Sequence, residues 1–175
     1  MPYAVTHVIL TIVIADIYRD YFAKKKFPMI YVLIAGIAGL LPDMDIPAGW
    51  IVNAVLGTSY NFHRLFTHSL SYSIIFFSAA ILFLSLRKES YKIIRWKVPK
   101  VAIVMFFLAM SFGWFMHILL DCSLSGDGYL NFIPSFPLGF CPHPFPQDVL
   151  AGFDAIILVL WLIHEQWKHE IKDYI

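Results

Sequence analysis

The sequence predicts an all-α, polytopic membrane bundle of about five transmembrane segments, in a single domain over residues 1–175. Three observations predict it. Hydrophobic residues make up 59% of the chain and charged residues 14%, whereas soluble domains carry about 25% charged residues. The apolar residues gather in runs broken by polar or basic stretches. Lysine and arginine fall almost wholly in alternate breaks between those runs.

The first run is Ala4 to Tyr18, stopped by Lys24, Lys25 and Lys26. Its start, from Met1 to Ile14, lacks the basic n-region and small-residue cleavage site of a signal peptide, so it is expected to stay in the mature chain. The second, Phe27 to Leu41, ends at Pro42, which removes a backbone donor and restricts its neighbour. Ala35, Gly36 and Gly39 suit it to close helix packing. A polar loop is expected from Asp43 to Phe62. The third run is Leu70 to Leu86, with Thr67 or Ser69 as a candidate N-cap. A basic linker, Arg87 to Lys100, precedes the fourth run, Val101 to Leu120. A Gly/Pro-rich loop from Asp121 to Pro146 precedes the fifth, Val149 to Ile163. Several runs are short: about 15 helical residues cover roughly 22 Å, less than the ~30 Å hydrocarbon core.

Alternating these runs across a membrane puts every lysine and arginine except Arg64 on one side, which the positive-inside rule makes cytoplasmic. The N-terminus is then extracytoplasmic and the C-terminus cytoplasmic. The extracytoplasmic side collects His7, Asp43, Asp45, His63, His68, His117, Asp121, Asp127, His143, Asp148 and Asp154. That set suits cations. His164 and His169 fall on the other side. The net charge of +1 and the lack of a basic block on a polar segment leave no footing for nucleic acid.

Two stretches carry the chemistry. His63-Arg64-Leu65-Phe66-Thr67-His68-Ser69 puts two imidazoles, a guanidinium and two hydroxyls into seven residues. His117 and Asp121 stand four apart on one helix, so both side chains point the same way and can chelate one ion or bridge two. Ionisable groups at membrane depth are functional candidates by default, although a buried His bonded to its i+4 acid is the plainer alternative. Gly113, one turn earlier, would admit a neighbouring backbone. Pro42-Asp43-Met44-Asp45 places two acids after a helix end, where the dipole disfavours them and a cation would compensate. An ordinary turn would explain them too. His7 alone would read as a bundle histidine, and its shared side raises its standing. Asp16 and Arg19 read as a local pair, Asp154 as a residue supporting the site, and His143 as a surface loop residue. Cys122 and Cys141 lie in one loop, where a disulfide and a pair of free thiols are both open.

Thr6-His7, Pro42-Asp43-x-Asp45, His63-Arg64-x-x-Thr67-His68-Ser69 and Gly113-x-x-x-His117-x-x-Leu120-Asp121 together resemble the YdjM-like family of membrane-bound metal-dependent hydrolases. That family is also described as LexA-binding inner-membrane hydrolases. The motifs cover Thr6 to about Pro137. The resemblance implies a metal-dependent hydrolase held in the membrane. A more distant similarity, in ligand order, is to zinc-dependent phospholipases C. Their further His and His-x-x-x-Glu ligands have no counterpart here, so one or two ions fit better than three.

The expected function is hydrolysis of a phosphoester, of lipid or other origin, at the extracytoplasmic face. The cofactor is one or two divalent ions, zinc favoured by the imidazoles and manganese or iron also suited. Asp45, His68, His117 and Asp121 are the expected primary ligands, with His7 and Asp43 completing that site or forming a second. Asp121 is the candidate bridge and Asp43 the candidate general base. Arg64, the sole basic residue on that face, would clamp a phosphate oxygen, and His63 would orient it or protonate the leaving group. The partners implied are membrane lipids and the substrate. A metal-ion or proton transporter, or a metal-binding membrane scaffold, would use the same cluster differently. A transporter would spread its ligands through the membrane depth, whereas these gather at one end.

Overall fold

The computed structural model describes residues 4–61, 63, 66–87, 89–93, 96–125, 129–134, 136–141 and 146–168. Helices dominate them. Helix α1 (Ala4–Ile17) runs into a π-helical turn, Tyr18–Phe22; α2 is Ile30–Ala38; a 3-10 turn, Leu41–Met44, leads into α3 (Asp45–Leu56). Then come α4 (Leu70–Ser85), α5 (Lys100–Leu120) with a π turn over Asp121–Ser125, and α6 (Gln147–Lys168). Two antiparallel hairpins interrupt the series: β1 (Ser90–Ile93) with β2 (Trp96–Pro99), and β3 (Tyr129–Ile133) with β4 (Phe136–Phe140). The expected basic linker and Gly/Pro-rich loop are therefore partly strand. Tyr91, Ile93, Trp96 and Val98 supply the β-branched and aromatic residues that a short ladder favours.

Three expectations need correction. Five spans are not supported. Among the described residues one helix, Lys100–Leu124, is long and apolar enough to cross a membrane, or two if the bent pair Ile30–Ala38 and Leu41–Leu56 counts as a single broken span. Helix α1 has 14 residues, α2 has nine and α4 has 16, each shorter than the ~20 a span requires.

The second correction is the loop from Asp43 to Phe62, most of which is α3. Pro47 falls in its first turn, where a missing donor costs nothing. Gly57 stops it at φ 64, a left-handed conformation natural to glycine. The third is the local pair of Asp16 and Arg19. Arg19 turns instead to Asp20, Nη1 to Oδ1 at 2.8 Å, and its Nε donates to the Phe27 carbonyl at 2.6 Å. Asp16, fully buried, faces His164 on α6.

Helix α5 is the centre of the packing, set between α4 and α2 and touching α1, with α2 also against α1 and α6 on α1. Ala15, Met29, Val32, Ala35 and Ala109 form the buried cluster at this crossing. Small residues allow the approach: a Cβ on Gly36 would meet the Ile12 side chain at 2.5 Å. Gly113 of α5 packs on the backbone of α2. A Cβ there would collide with the Ala35 carbonyl oxygen and stand 2.6 Å from the Ala38 Cβ and 2.8 Å from the Gly39 nitrogen. Backbone cannot swing aside as a side-chain tip can. Gly113→Ala is expected to cost about 3 kcal/mol, the upper range for overpacking, read as a lowered unfolding midpoint of the purified protein. An unchanged midpoint would show that α2 and α5 are not in this contact.

Cys122 and Cys141 are joined in a disulfide with Cα atoms 4.9 Å apart, which resolves the choice that the sequence left open. It ties the end of α5 to the end of β4 and closes the loop beside Asp121.

Candidate metal centre

Four separate segments converge at one end of the bundle. Helix α1 brings His7, the turn after α2 brings Asp43 and Asp45, the stretch before α4 brings His63 and His68, and the end of α5 brings His117 and Asp121. Gly39 ends α2, and Pro42 helps fix the 3-10 turn that carries Asp43 inward. The stretch before α4 is held on α5 by the Trp114 indole, whose Nε1–H donates to the Thr67 carbonyl at 3.0 Å. Tyr72 stacks on the same indole at 5.0 Å. Ser69 precedes α4 without a side-chain cap bond; its hydroxyl pairs with that of Ser71 at 2.7 Å. The Thr67 hydroxyl serves the site, as shown below, so neither acts as the expected cap.

His117 is fully buried, and its Nδ1 lies 2.7 Å from the Gly39 carbonyl oxygen. A carbonyl only accepts, so Nδ1 carries the proton and Nε2 presents a lone pair. Among the described residues Nε2 has no hydrogen-bond partner, and it lies 3.6 Å from both Asp43 Oδ1 and Asp121 Oδ2. His68 is arranged alike. The Thr67 hydroxyl donates to Asp45 Oδ2 at 2.8 Å and so accepts from His68 Nδ1 at 3.0 Å. His68 Nε2 lies at hydrogen-bond distance, 3.3 Å, from Asp43 Oδ1 and 3.6 Å from Asp121 Oδ2. His7 completes the ring: its Nε2 is 3.4 Å from Asp121 Oδ1, and its imidazole stacks on His117 at 4.0 Å. Beside it, the Thr6 hydroxyl donates to Asp154 Oδ2 at 2.6 Å, so Asp154 supports the chain that carries His7.

This geometry fits a cation. The lone pair on His117 Nε2 faces carboxylate oxygens, acceptor against acceptor, in a buried setting where that arrangement is costly, and His68 Nε2 turns to the same two carboxylates. Their separations of 3.3–3.6 Å exceed an ideal hydrogen bond. They match the ~3.3 Å edge of a tetrahedron with metal–ligand bonds of about 2.0–2.1 Å. Three ligand groups overlap here: His7 with Asp43 and His117, Asp43 with His63 and His68, and His68 with His117 and Asp121. Asp43, His68 and His117 each belong to two of them, so the set can hold one ion or two.

The structure brings together His7, Asp43, Asp45, His63, His68, His117 and Asp121. Asp45 stands slightly apart in role. It belongs to none of the three compact groups and bonds instead to Thr67 and to His63, Oδ1 to Nδ1 at 3.0 Å. Arg64, Asp127 and His143 lie outside the described residues, as does the side chain of Asp148. His164 sits elsewhere, against Asp16; His169 is likewise outside the described residues. Sequence reasoning missed the Gly39 carbonyl and the Thr67 hydroxyl as the groups that set the imidazole tautomers. Thr67 adjoins His68 in the chain and could have signalled it; a backbone carbonyl gives no such sign.

The family profile for the YdjM inner membrane protein matches residues 1–171. The chain belongs to the YdjM inner membrane protein family. Membership fixes the setting as a membrane, consistent with the apolar exterior of α4 and α6. No curated protein and no solved structure matches the chain, so the likeness to phospholipases C rests on ligand order alone.

Proposed function

We propose that this YdjM-family chain is a membrane-embedded, metal-dependent hydrolase acting on a phosphoester at the extracytoplasmic membrane face. The observation that carries the reading is the convergence of the buried Nε2 atoms of His68 and His117 on the same two carboxylates, Asp43 and Asp121, at 3.3–3.6 Å. Such a set is a ligand shell, with outer partners fixing each ring.

His7, Asp43, His68, His117 and Asp121 would hold one or two divalent ions, zinc favoured by the three imidazoles and manganese or iron also suited. The ion supplies Lewis acidity toward a phosphoryl oxygen and makes water a better acid. Asp43 commits Oδ1 to the two imidazoles, leaving Oδ2 to accept a proton from water. His63 is held by Asp45 through Nδ1, while its buried Nε2 has no hydrogen-bond partner among the described residues. As the imidazolium, with Nδ1–H on Asp45, His63 would carry a second proton on Nε2 to give to a leaving group, with Asp45 as its positioning residue. Arg64 is the proposed phosphate clamp.

Helix α3 supports a lipid-side location. It follows Asp45 directly and exposes Trp50, Ile51, Val55 and Leu56, a side suited to the membrane interface. The bias of lysine and arginine supports an extracytoplasmic site and a multi-pass chain with its C-terminus in the cytoplasm. A transport relay finds less support: no His, Asp or Glu stands between His7 and Asp16 on α1, or between Asp154 and His164 on α6.

Two measurements test this reading. Purified protein should carry one or two divalent ions per chain by elemental analysis and should cleave members of a phosphoester panel that includes lipids. A metal-loaded chain inert across that panel would overturn the hydrolase reading. A reporter fused at Ile175 should behave as cytoplasmic; extracytoplasmic behaviour would reverse the location of the site.

A further inference from the structure

We propose that the apolar groove between α1, α2, α4 and α5 binds one anionic phospholipid, with an acyl chain in the groove and the headgroup on the lysine-rich bend at 24–26. This does not rest on the hydrolase reading. The groove encloses about 420 Å³, within the range of small-ligand sites. Its floor is Ala15, Ala35 and Ala109, three buried residues of the packing core. Such short side chains leave the space that longer ones would fill. Its rim is open: Tyr18 is 56% exposed, Phe77 49% and Phe115 43%.

The lining selects an apolar occupant. The Ser73 hydroxyl donates to the Ser111 carbonyl at 2.9 Å, and the Ser111 hydroxyl donates to the Ser73 carbonyl at 2.8 Å. The Tyr31 hydroxyl donates to the Ala102 carbonyl at 3.4 Å. Apart from Tyr18, the other lining side chains are aliphatic, aromatic or thioether. A polar ligand would lose its hydration here without replacement, and a hydrocarbon chain has none to lose. On α5 the lining runs from Met105 to Phe115, an advance of ten residues. That is about 15 Å at ~1.5 Å per residue, half of the ~30 Å hydrocarbon core and so the depth of one leaflet. Helix α5 with its π turn is long and apolar enough to cross a membrane, and the family is an inner membrane one. A half-open groove along such a helix meets acyl chains before any other ligand.

Charge selects the headgroup. The bend at 24–26 lies in the chain between two lining residues, Tyr18 and Phe27, and so stands at their end of the groove. Lys24 and Lys25 are exposed there. The bond from Tyr31 to Ala102 sets the start of α2 beside the start of α5, which brings Lys100 to the same end. Among the described residues, Arg19, the three lysines of the bend and Lys100 outnumber the acids at this end, Asp16, Asp20 and Glu165. Basic residues beside a crossing helix attract anionic lipid. The phosphate then lies on the lysines and the chain runs along α5 toward Phe115.

The test is native mass spectrometry of the full chain, purified in detergent, delipidated and titrated with dioleoyl phosphatidylglycerol or dioleoyl phosphatidylcholine. Wild type should retain one phosphatidylglycerol per chain in preference to phosphatidylcholine. A Lys24→Gln, Lys25→Gln chain should bind phosphatidylglycerol more weakly by ~5-fold per lysine, about 25-fold together, with phosphatidylcholine unchanged. Both positions are exposed, so this variant keeps its fold. Leu108→Trp, which fills the groove from its wall, should lose the bound lipid. Phosphatidylglycerol binding unchanged in the lysine variant, or kept in Leu108→Trp, would overturn the site. So would a lipid-free dimer that Leu108→Trp disperses, which would give the groove to a second copy of the chain. Failure of the hydrolase reading shows separately, as metal-loaded wild type without activity.

Discussion

The His117→Ala, Asp121→Ala chain is expected to lose the ion of the metal centre and all phosphoester hydrolysis while keeping its helices. Both residues sit in the last turns of α5, buried, with His117 Nε2 and Asp121 Oδ2 facing each other at 3.6 Å. Together they take part in two of the three ligand groups at this end. Loss of an outer partner alone costs 10–100-fold in metal affinity, so loss of two ligands should exceed about 100-fold. Both substitutions shorten side chains, and Asp121 closes α5 through its backbone N–H, which alanine keeps, so a helical spectrum like that of wild type is expected. Elemental analysis and a phosphoester assay on the same preparation decide the matter. Full activity in this variant would sink the assignment. Metal retained with activity gone would move the ion to His63 and His68.

That centre was legible in the sequence to the extent that its contacts are local. The i, i+4 spacing of His117 and Asp121 is a property of one helix, and so is the glycine one turn before it. Their meeting with His7, Asp43 and His68 could be expected from one shared end of the bundle, because alternating runs deliver them there. What could not be read is which atom of each residue faces which. The Gly39 carbonyl under His117 and the Thr67 hydroxyl between His68 and Asp45 depend on packing across 78 and 22 residues of chain.

The same limit explains the errors. Asp16 and Arg19 have helical spacing, but Asp20 is nearer in the π turn, and His164 arrives from the far end of the sequence. Helix α3 was hidden because apolar residues cover nearly all its sides, so no amphipathic stripe marks it; Gly49 is its buried residue. Five spans were read from apolar runs, three of which form helices of 14, nine and 16 residues, shorter than the ~20 a span needs.

Asp45→Asn should keep the metal and lose turnover, by about 10²- to 10⁴-fold, the usual worth of a positioned acid–base group. The carboxylate now does two things. Oδ2 accepts from the Thr67 hydroxyl and Oδ1 holds His63 Nδ1. A carboxamide has one accepting oxygen. With that oxygen toward Thr67, the His68 tautomer and the ligand shell survive. The amide then turns N–H donors toward His63, whose Nδ1 must accept instead of donate. The ring can then no longer be held as the imidazolium, the form that has an acidic proton on Nε2 to give to the leaving group. The loss should therefore depend on the substrate: large for an alkyl phosphoester, whose leaving group needs a proton, and small for an activated aryl ester, whose leaving group does not. Equal losses on both substrates would remove His63 as the acid. Loss of the metal together with activity would return Asp45 to the ligand role that the sequence alone suggests for it. Thr67→Val gives the complementary result, since it removes the bond that fixes His68 and leaves Asp45 on His63. Metal affinity should fall there by about 10–100-fold, with the difference between aryl and alkyl substrates unchanged.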